Sequence, residues 1–129
     1  RVAVAGARFA RRRDAAMVYV AGSDAEVTVD GSVFTDKHDS AKVVLSGARL
    51  SLALRQGSFL TSISQSGPCV SSTGAGNRVE VLDSHLSWCW ANYGPGGGGV
   101  LLLGDDARLR VLNSTLDNNG ADAQSDYGG

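Results

Sequence analysis

Residues 96–120 read GGGGVLLLGDDARLRVLNSTLDNNG. An apolar run starts at Val100 and breaks at Gly104. Leu109 and Val111 then alternate with charged residues, and Ser114 and Leu116 stand three and five residues beyond Val111. The same order recurs upstream. Val79 and Val81 precede Ser84 and Leu86, Leu52 and Leu54 precede Gly57 and Phe59, Val27 and Val29 precede Ser32 and Phe34, and Val2 and Val4 precede Ala7 and Phe9. Eleven residues before Val111, Val81, Leu54 and Val29 stand Val100, Val70, Val43 and Val18; seven before them stand Gly104, Gly74, Gly47 and Gly22. The chain is therefore built on a repeat, with anchors at 4, 29, 54, 81 and 111, spaced 25, 25, 27 and 30 residues apart.

A repeat of this length suits several architectures, and the periodicity inside it chooses among them. Val27-Thr28-Val29, Val79-Glu80-Val81 and Leu109-Arg110-Val111 alternate at period two, the mark of a half-buried strand. Ankyrin and tetratricopeptide repeats require a helical period, and leucine-rich repeats a Leu/Asn signature absent here. Each copy carries three short strand candidates. The expected fold is all-β, a right-handed parallel β-helix of about four and a half coils of 25–30 residues with three short strands per coil.

Stacked coils pair each strand with its equivalents above and below, so like positions form ladders. One inward ladder is expected at Val29, Leu54, Val81 and Val111, and another at Phe34, Phe59, Leu86 and Leu116. A third, of small residues, would run through Ser32, Gly57, Ser84 and Ser114. Gly22, Gly47, Gly74 and Gly104 would leave the first strand at positive φ, and Asp83 and Asn113 suit a left-handed corner. The first strand is apolar on both sides: its outward positions hold Tyr19, Val44, Ser71 and Leu101. Tyr19, Val44 and Leu101 thus form an apolar face, covered either by loops or by a partner.

The chain has 129 residues, room for one domain, with 43% hydrophobic and 19% charged residues, enough to build a core. It reads as a single β-helix segment over 1–129, ending in a polar, Gly-rich tail over 120–129. It opens at Arg1 in mid-pattern, as a piece of a longer protein would. A formal net charge of −1 argues against nucleic acid as a main partner. The run Arg11-Arg12-Arg13 is read as a solvated turn, with an anionic docking patch as the alternative. No apolar run approaches the length of a membrane span. The expected partners are proteins of a larger assembly or the rest of the parent chain, and carbohydrate is the other candidate.

The repeats resemble the pectin-lyase-like right-handed β-helix superfamily, above all the repetitive surface-protein and autotransporter-type β-helices such as polymorphic outer-membrane proteins. That family carries G-G-A-I and F-x-x-N tetrapeptides in each coil. Gly98-Gly99-Val100-Leu101 is similar to the first, and Leu116-Asp117-Asn118-Asn119 to the second. Phe34-Thr35-Asp36-Lys37 lacks the Asn. The resemblance implies the fold. It also implies that an enzyme of this kind would cluster acidic residues on the first-strand face.

No such cluster is visible, since the first strands carry no acid. Asp105 and Asp106 read as a solvated turn. Asp36-Lys37-His38-Asp39 has suitable groups for acid–base work, but in one contiguous turn rather than assembled across coils. His85 beside Ser84 and near Ser87 lacks an evident orienting acid or oxyanion hole. Gly94–Gly99 lacks the Lys-Ser/Thr and helix of a phosphate loop. No catalytic residue, metal ligand or cofactor is assigned.

The corner Trp88-Cys89-Trp90, with Tyr93 beyond it, holds both tryptophans of the chain and one of its three tyrosines. These rings either cover the first strand or contact a ligand or partner. Cys69 and Cys89 both fall on this side of the coil and can form a disulfide, which would place the chain in an oxidising compartment, extracellular or at the cell surface. Asn113-Ser114-Thr115 matches the N-glycosylation sequon. The expected role is a non-catalytic structural or adhesion scaffold segment of a larger extracellular or surface protein. The alternative is a carbohydrate-binding or polysaccharide-degrading module.

Overall fold

In the computed structural model the chain is an all-β parallel solenoid, described for residues 1–10, 17–36, 41–62, 68–91 and 98–121. Every strand pairing is parallel and joins equivalent segments of successive coils. Sheet A stacks β1 (Val2–Ala5), β4 (Glu26–Asp30), β7 (Ser51–Arg55), β10 (Arg78–Leu82) and β14 (Arg108–Leu112). Sheet B stacks β2 (Arg8–Ala10), β5 (Val33–Asp36), β8 (Phe59–Ser62), β11 (His85–Ser87) and β15 (Thr115–Asp117). Sheet C holds the first strand of each repeat: β3 (Val18–Ser23), β6 (Val43–Ala48), β9 (Val70–Thr73) and β13 (Val100–Leu103). The coil count differs slightly from the four and a half expected, and the expected all-β parallel solenoid is what forms.

Two further strands depart from the three-strand expectation. β12 (Trp90–Ala91) and β16 (Gly120–Ala121) pair as a fourth, two-stranded sheet. Gly120 and Ala121, read from sequence as the start of the tail, thus belong to the solenoid. Alternation is invisible in a two-residue strand, so nothing in the pattern marked it.

The anchor ladder runs in register as Val4, Val29, Leu54, Val81 and Val111. Val27, Val29, Leu52, Leu54, Val79 and Val81 are fully buried, whereas Glu26, Arg78 and Arg108 at the starts of their strands face solvent. Phe34, Leu60 and Leu86 of sheet B and Val43, Leu45 and Val70 of sheet C complete one continuous core. Inside it, Asn77 breaks the otherwise apolar series Ala25, Leu50, Asn77, Ala107 without leaving its own side chain unpaired. Its Oδ1 accepts the Leu50 amide (2.8 Å), and its Nδ2 donates to Ser72 Oγ (2.9 Å). A buried polar group held this way avoids the cost of an unmade bond.

The sheet B ladder differs from the expected one by one residue. Leu60, not Phe59, pairs with Phe34 and Leu86; Phe59 pairs with Val33 and His85. Ser58, not Gly57, takes the small-residue position, and its hydroxyl accepts the Ser32 amide (3.4 Å). The cause is an extra corner residue. One left-handed residue turns the other coils at this corner: Gly31 (φ 52), Asp83 (φ 48) and Asn113 (φ 46). Here Gln56 (φ 56) and Gly57 (φ 76) share the turn. Leu60 therefore carries the packing, and Leu60→Ala is expected to cost about 3 kcal/mol, the range for emptying a core leucine. Chemical denaturation checks it; a cost below about 1 kcal/mol would contradict this register.

At the corner between sheets C and A, Gly47 (φ 147) and Gly74 (φ 124) sit directly against the preceding coil. A Cβ on Gly47 would run into the Gly22 carbonyl, and one on Gly74 into that of Gly47. Glycine is required there both by backbone conformation and by the approach of backbone to backbone. Two residues further on, Asp24 (φ 59) and Arg49 (φ 54) are also left-handed, and the Arg49 guanidinium grips both Asp24 oxygens (2.6 and 2.7 Å). This bidentate bond holds the Asp24 carboxyl below its usual range.

Candidate functional site

The corner that follows sheet B in the fourth layer gathers the features that set this solenoid apart from a plain stack. Trp88, Cys89 and Trp90 occupy it. Register places Trp90 beside Gly120, hence Cys89 beside Asn119 and Trp88 beside Asn118. Asn119 caps the turn beneath. Its Oδ1 accepts the Cys89 amide (3.0 Å), and its Nδ2 donates to the Leu86 carbonyl (3.0 Å), so its amide bridges the turn of the coil beneath.

Where Asn119 stands in the last coil, Cys89 stands in the one before, and it makes a covalent tie instead. Cys69 and Cys89 form a disulfide, with Cα atoms 5.4 Å apart and both residues fully buried. Cys69 lies just before β9 and Cys89 just after β11, so the bond closes one winding of the solenoid on itself. The disulfide points toward a non-cytoplasmic environment.

The rings on either side are open to solvent, Trp88 at 49% exposure and Trp90 at 40%. Trp88 has φ 57, a left-handed conformation that asparagine accepts readily and a bulky L-residue pays roughly 1–2 kcal/mol to adopt. Asn118, its equivalent in the next coil, has φ 52. Trp90 is seated on Gly120, where an added Cβ would come within 3.0 Å of the indole ring. Glycine at 120 thus leaves room for the ring to lie against the neighbouring backbone. Tyr93, the third aromatic residue assigned to this corner from sequence, lies outside the described residues.

A polar row borders the corner on sheet B. His85 Nε2 and Asp117 Oδ1 are 2.6 Å apart, and Asn118 Nδ2 donates to Asp117 Oδ2 (2.9 Å). Both carboxylate oxygens are thereby occupied. Ser84 does not form a catalytic pair with His85: its hydroxyl is buried and bonds the Leu82 carbonyl (2.8 Å).

No family model, curated protein or solved structure matches the chain.

Asp105 and Asp106 form the exposed turn expected of them, Asp106 in left-handed conformation. Lys37, His38 and Asp39, the Arg11–Arg13 run and most of the Gly94–Gly99 stretch lie outside the described residues. Asn113 is exposed at its corner, with its side-chain amide bonded to Asp83. Among the described residues no three metal-ligating side chains gather, and no helix is long and apolar enough to cross a membrane.

Among the described residues several carboxylates meet cations or amides, whereas Asp30 Oδ1 is buried without a hydrogen-bond partner. Glu80 lies between Arg55 (3.9 Å) and Arg110 (3.5 Å), Glu26 faces Arg1 (3.7 Å) and Asp24 faces Arg49. Such pairs knit neighbouring coils across exposed faces, where each contributes little to stability.

The outer face of sheet C is free of charge: none of β3, β6, β9 and β13 contains an acidic or basic residue. Tyr19 stands open at 63% exposure, whereas Val44 and Leu101 are half-buried. Sequence reasoning missed three features. His85 and Asp117, 32 residues apart in sequence, become neighbours only once the coils stack; Asn77 is marked by its break in an apolar series; and Lys42, buried at the position of Met17 and Cys69, carries no sequence signal of burial.

Proposed function

We propose that the chain is a stiff, non-catalytic scaffold segment of the right-handed β-helix superfamily, part of a larger extracellular or surface assembly, and that its Trp88–Trp90 corner makes the contact. The observation that carries this reading is the conformation of Trp88. An indole half open to solvent and held in a strained left-handed backbone, beside a disulfide that immobilises the corner, costs stability that its partial burial only in part offsets. Strain of that kind is retained where the side chain serves recognition. Parallel stacking supplies stiffness, since each winding is bonded along its length to the next.

A second reading, carbohydrate binding, is favoured by the setting of the rings. Indole faces stack on sugar rings, and the His85–Asp117–Asn118 row beside them offers hydroxyl-bonding groups.

Trp88→Asn separates recognition from folding. The substitution is expected to leave stability unchanged or raise it by up to about 1 kcal/mol, because asparagine relieves the backbone strain. Trp88→Asn and Trp90→Ala together are expected to abolish retention on immobilised extracellular-matrix proteins and insoluble polysaccharides. Retention on protein alone supports the adhesion reading, and retention on polysaccharide alone supports the second. Retention unchanged by both substitutions, or release of oligosaccharides from any polymer, would contradict the proposal.

A further inference from the structure

Every polar group of Cys89 is engaged. Its amide donates to Asn119 Oδ1 (3.0 Å), its carbonyl accepts from the Gly120 amide (3.0 Å), and its sulfur is bonded to Cys69, just before β9. On the other side of Trp88, Ser87 is buried at the end of β11, a strand that pairs with both β8 and β15. Trp88 is thus the link between two fixed points, and its own amide donates to the Asp117 carbonyl (3.3 Å). Turning its backbone from φ 57 to an ordinary negative φ would swing Cys89 away from Cys69. The disulfide therefore holds the left-handed turn closed.

This tie is separable from the sheets. β9 pairs with β6 and β13, and β11 with β8 and β15, without help from the sulfurs. Each sulfur also lies against a backbone carbonyl, Cys69 Sγ 3.6 Å from that of Leu60 and Cys89 Sγ 3.4 Å from that of Ser87. Two thiols at these positions would each find an acceptor, so one fold suits both oxidation states. The corner is where the states differ. With the bond open, the hydrogen bonds that residues 88 and 89 make to the next coil oppose the strain at Trp88 alone. A net hydrogen bond and the strain of a left-handed L-residue are of comparable size, so the turn is free to relax.

We propose that the Cys69–Cys89 disulfide is a positioning cross-link for Trp88, which makes presentation of the indole depend on oxidation state. The inference rests on the reading that Trp88 makes the contact, and adds how that contact is controlled. A dithiol reductant opens the bond by exchange. Its thiolate attacks one sulfur, the other cysteine leaves as thiolate, and closure of the reductant into its own disulfide frees the second cysteine. Two electrons and two protons pass to the cysteines, and the dithiol is oxidised. Strain held at Trp88 is released in this step and so favours it. By linkage, relieving that strain beforehand makes the bond harder to reduce.

The test is the reduction equilibrium of the intact chain against a dithiol, approached from both the oxidised and the reduced protein because burial slows exchange. Trp88→Asn and Trp88→Gly remove the strain, whereas Trp88→Ala removes the indole but keeps a strained L-residue in the turn. Asparagine and glycine are expected to lower the equilibrium constant for reduction about 5-fold, and alanine to leave it within about 2-fold of the parent, as release of a left-handed strain requires. Amide exchange of the reduced parent is expected to keep β4, β7 and β10 protected while residues 88 and 89 exchange faster. Retention on the matrix proteins or polysaccharides that hold the oxidised chain is expected to fall about 5-fold on reduction. Equal constants for the three variants, or loss of protection in β4, β7 and β10, would overturn the proposal. Unequal constants with retention indifferent to Trp88 would support the cross-link's role and overturn the contact reading alone.

Discussion

Gly47→Ala is expected to destabilise the protein by about 4 kcal/mol or more, a large fraction of a typical domain's stability of about 5–15 kcal/mol. Two costs add. Gly47 has φ 147, which an L-side chain adopts only with strain, and its added methyl would occupy the space of the Gly22 carbonyl in the coil below. That carbonyl cannot retreat without opening the pairing of β3 with β6 along its whole register, Val18 with Val43 through Ser23 with Ala48. Gly22→Ala supplies the internal control. Gly22 has φ 114 but meets nothing within 4 Å, so only the conformational part, roughly 1–2 kcal/mol, is expected. The difference between the two substitutions, read by denaturant titration, measures the close approach of successive coils. Equal costs would mean that the coils do not touch at this corner.

Cys89→Ser is the second large effect. The disulfide spans 20 residues of sequence, and in the chain-entropy account a loop of that length contributes about 3 kcal/mol by restricting the unfolded state. Loss of the bond is expected to lower the melting temperature by roughly 10 °C. Burial adds a kinetic signature. Both cysteines are inaccessible in the folded chain, so a thiol reductant should act only through opening of the corner. Reduction is expected to be slow in the native protein and to accelerate sharply in denaturant. Rapid reduction under native conditions, or a Cys89→Ser variant as stable as the parent, would contradict a buried structural bond.

Much of this fold was legible because its physics is periodic. Alternation in Val27-Thr28-Val29 and its equivalents marks a strand, and recurrence of Gly22, Gly47, Gly74 and Gly104 marks one corner met four times. Pairing of Cys69 with Cys89 followed from placing both on the same side of the coil. The misplacement of Phe59 has an equally physical origin. A corner absorbs an extra residue at small cost, as Gln56 and Gly57 do, and the ladder beyond it shifts by one while the sequence still offers an aromatic residue at the unshifted position.

The candidate site was half legible. An aromatic cluster is plain in a sequence, but the strain at Trp88 is not, nor is the seat that Gly120 provides for Trp90. Those depend on which residue of a neighbouring coil lies alongside, and that is set by corner lengths. The contact between His85 and Asp117 arises in the same way. Single residues announce their chemistry, whereas partnerships across coils emerge only once the register is known.

Equal stacking of windings along one axis is tested most directly by a molecular ruler. Spin labels on the outward positions of sheet A can pair Ala3 with Glu80 in one sample and with Arg110 in another, positions that lie three and four coils away in register. At about 4.8 Å per coil, the two mean distances should be near 14 and 19 Å before allowance for the label arms, which cancel in the difference. A difference of about 5 Å between the samples is the result the solenoid predicts. Equal distances, or a shorter one to Arg110, would contradict it.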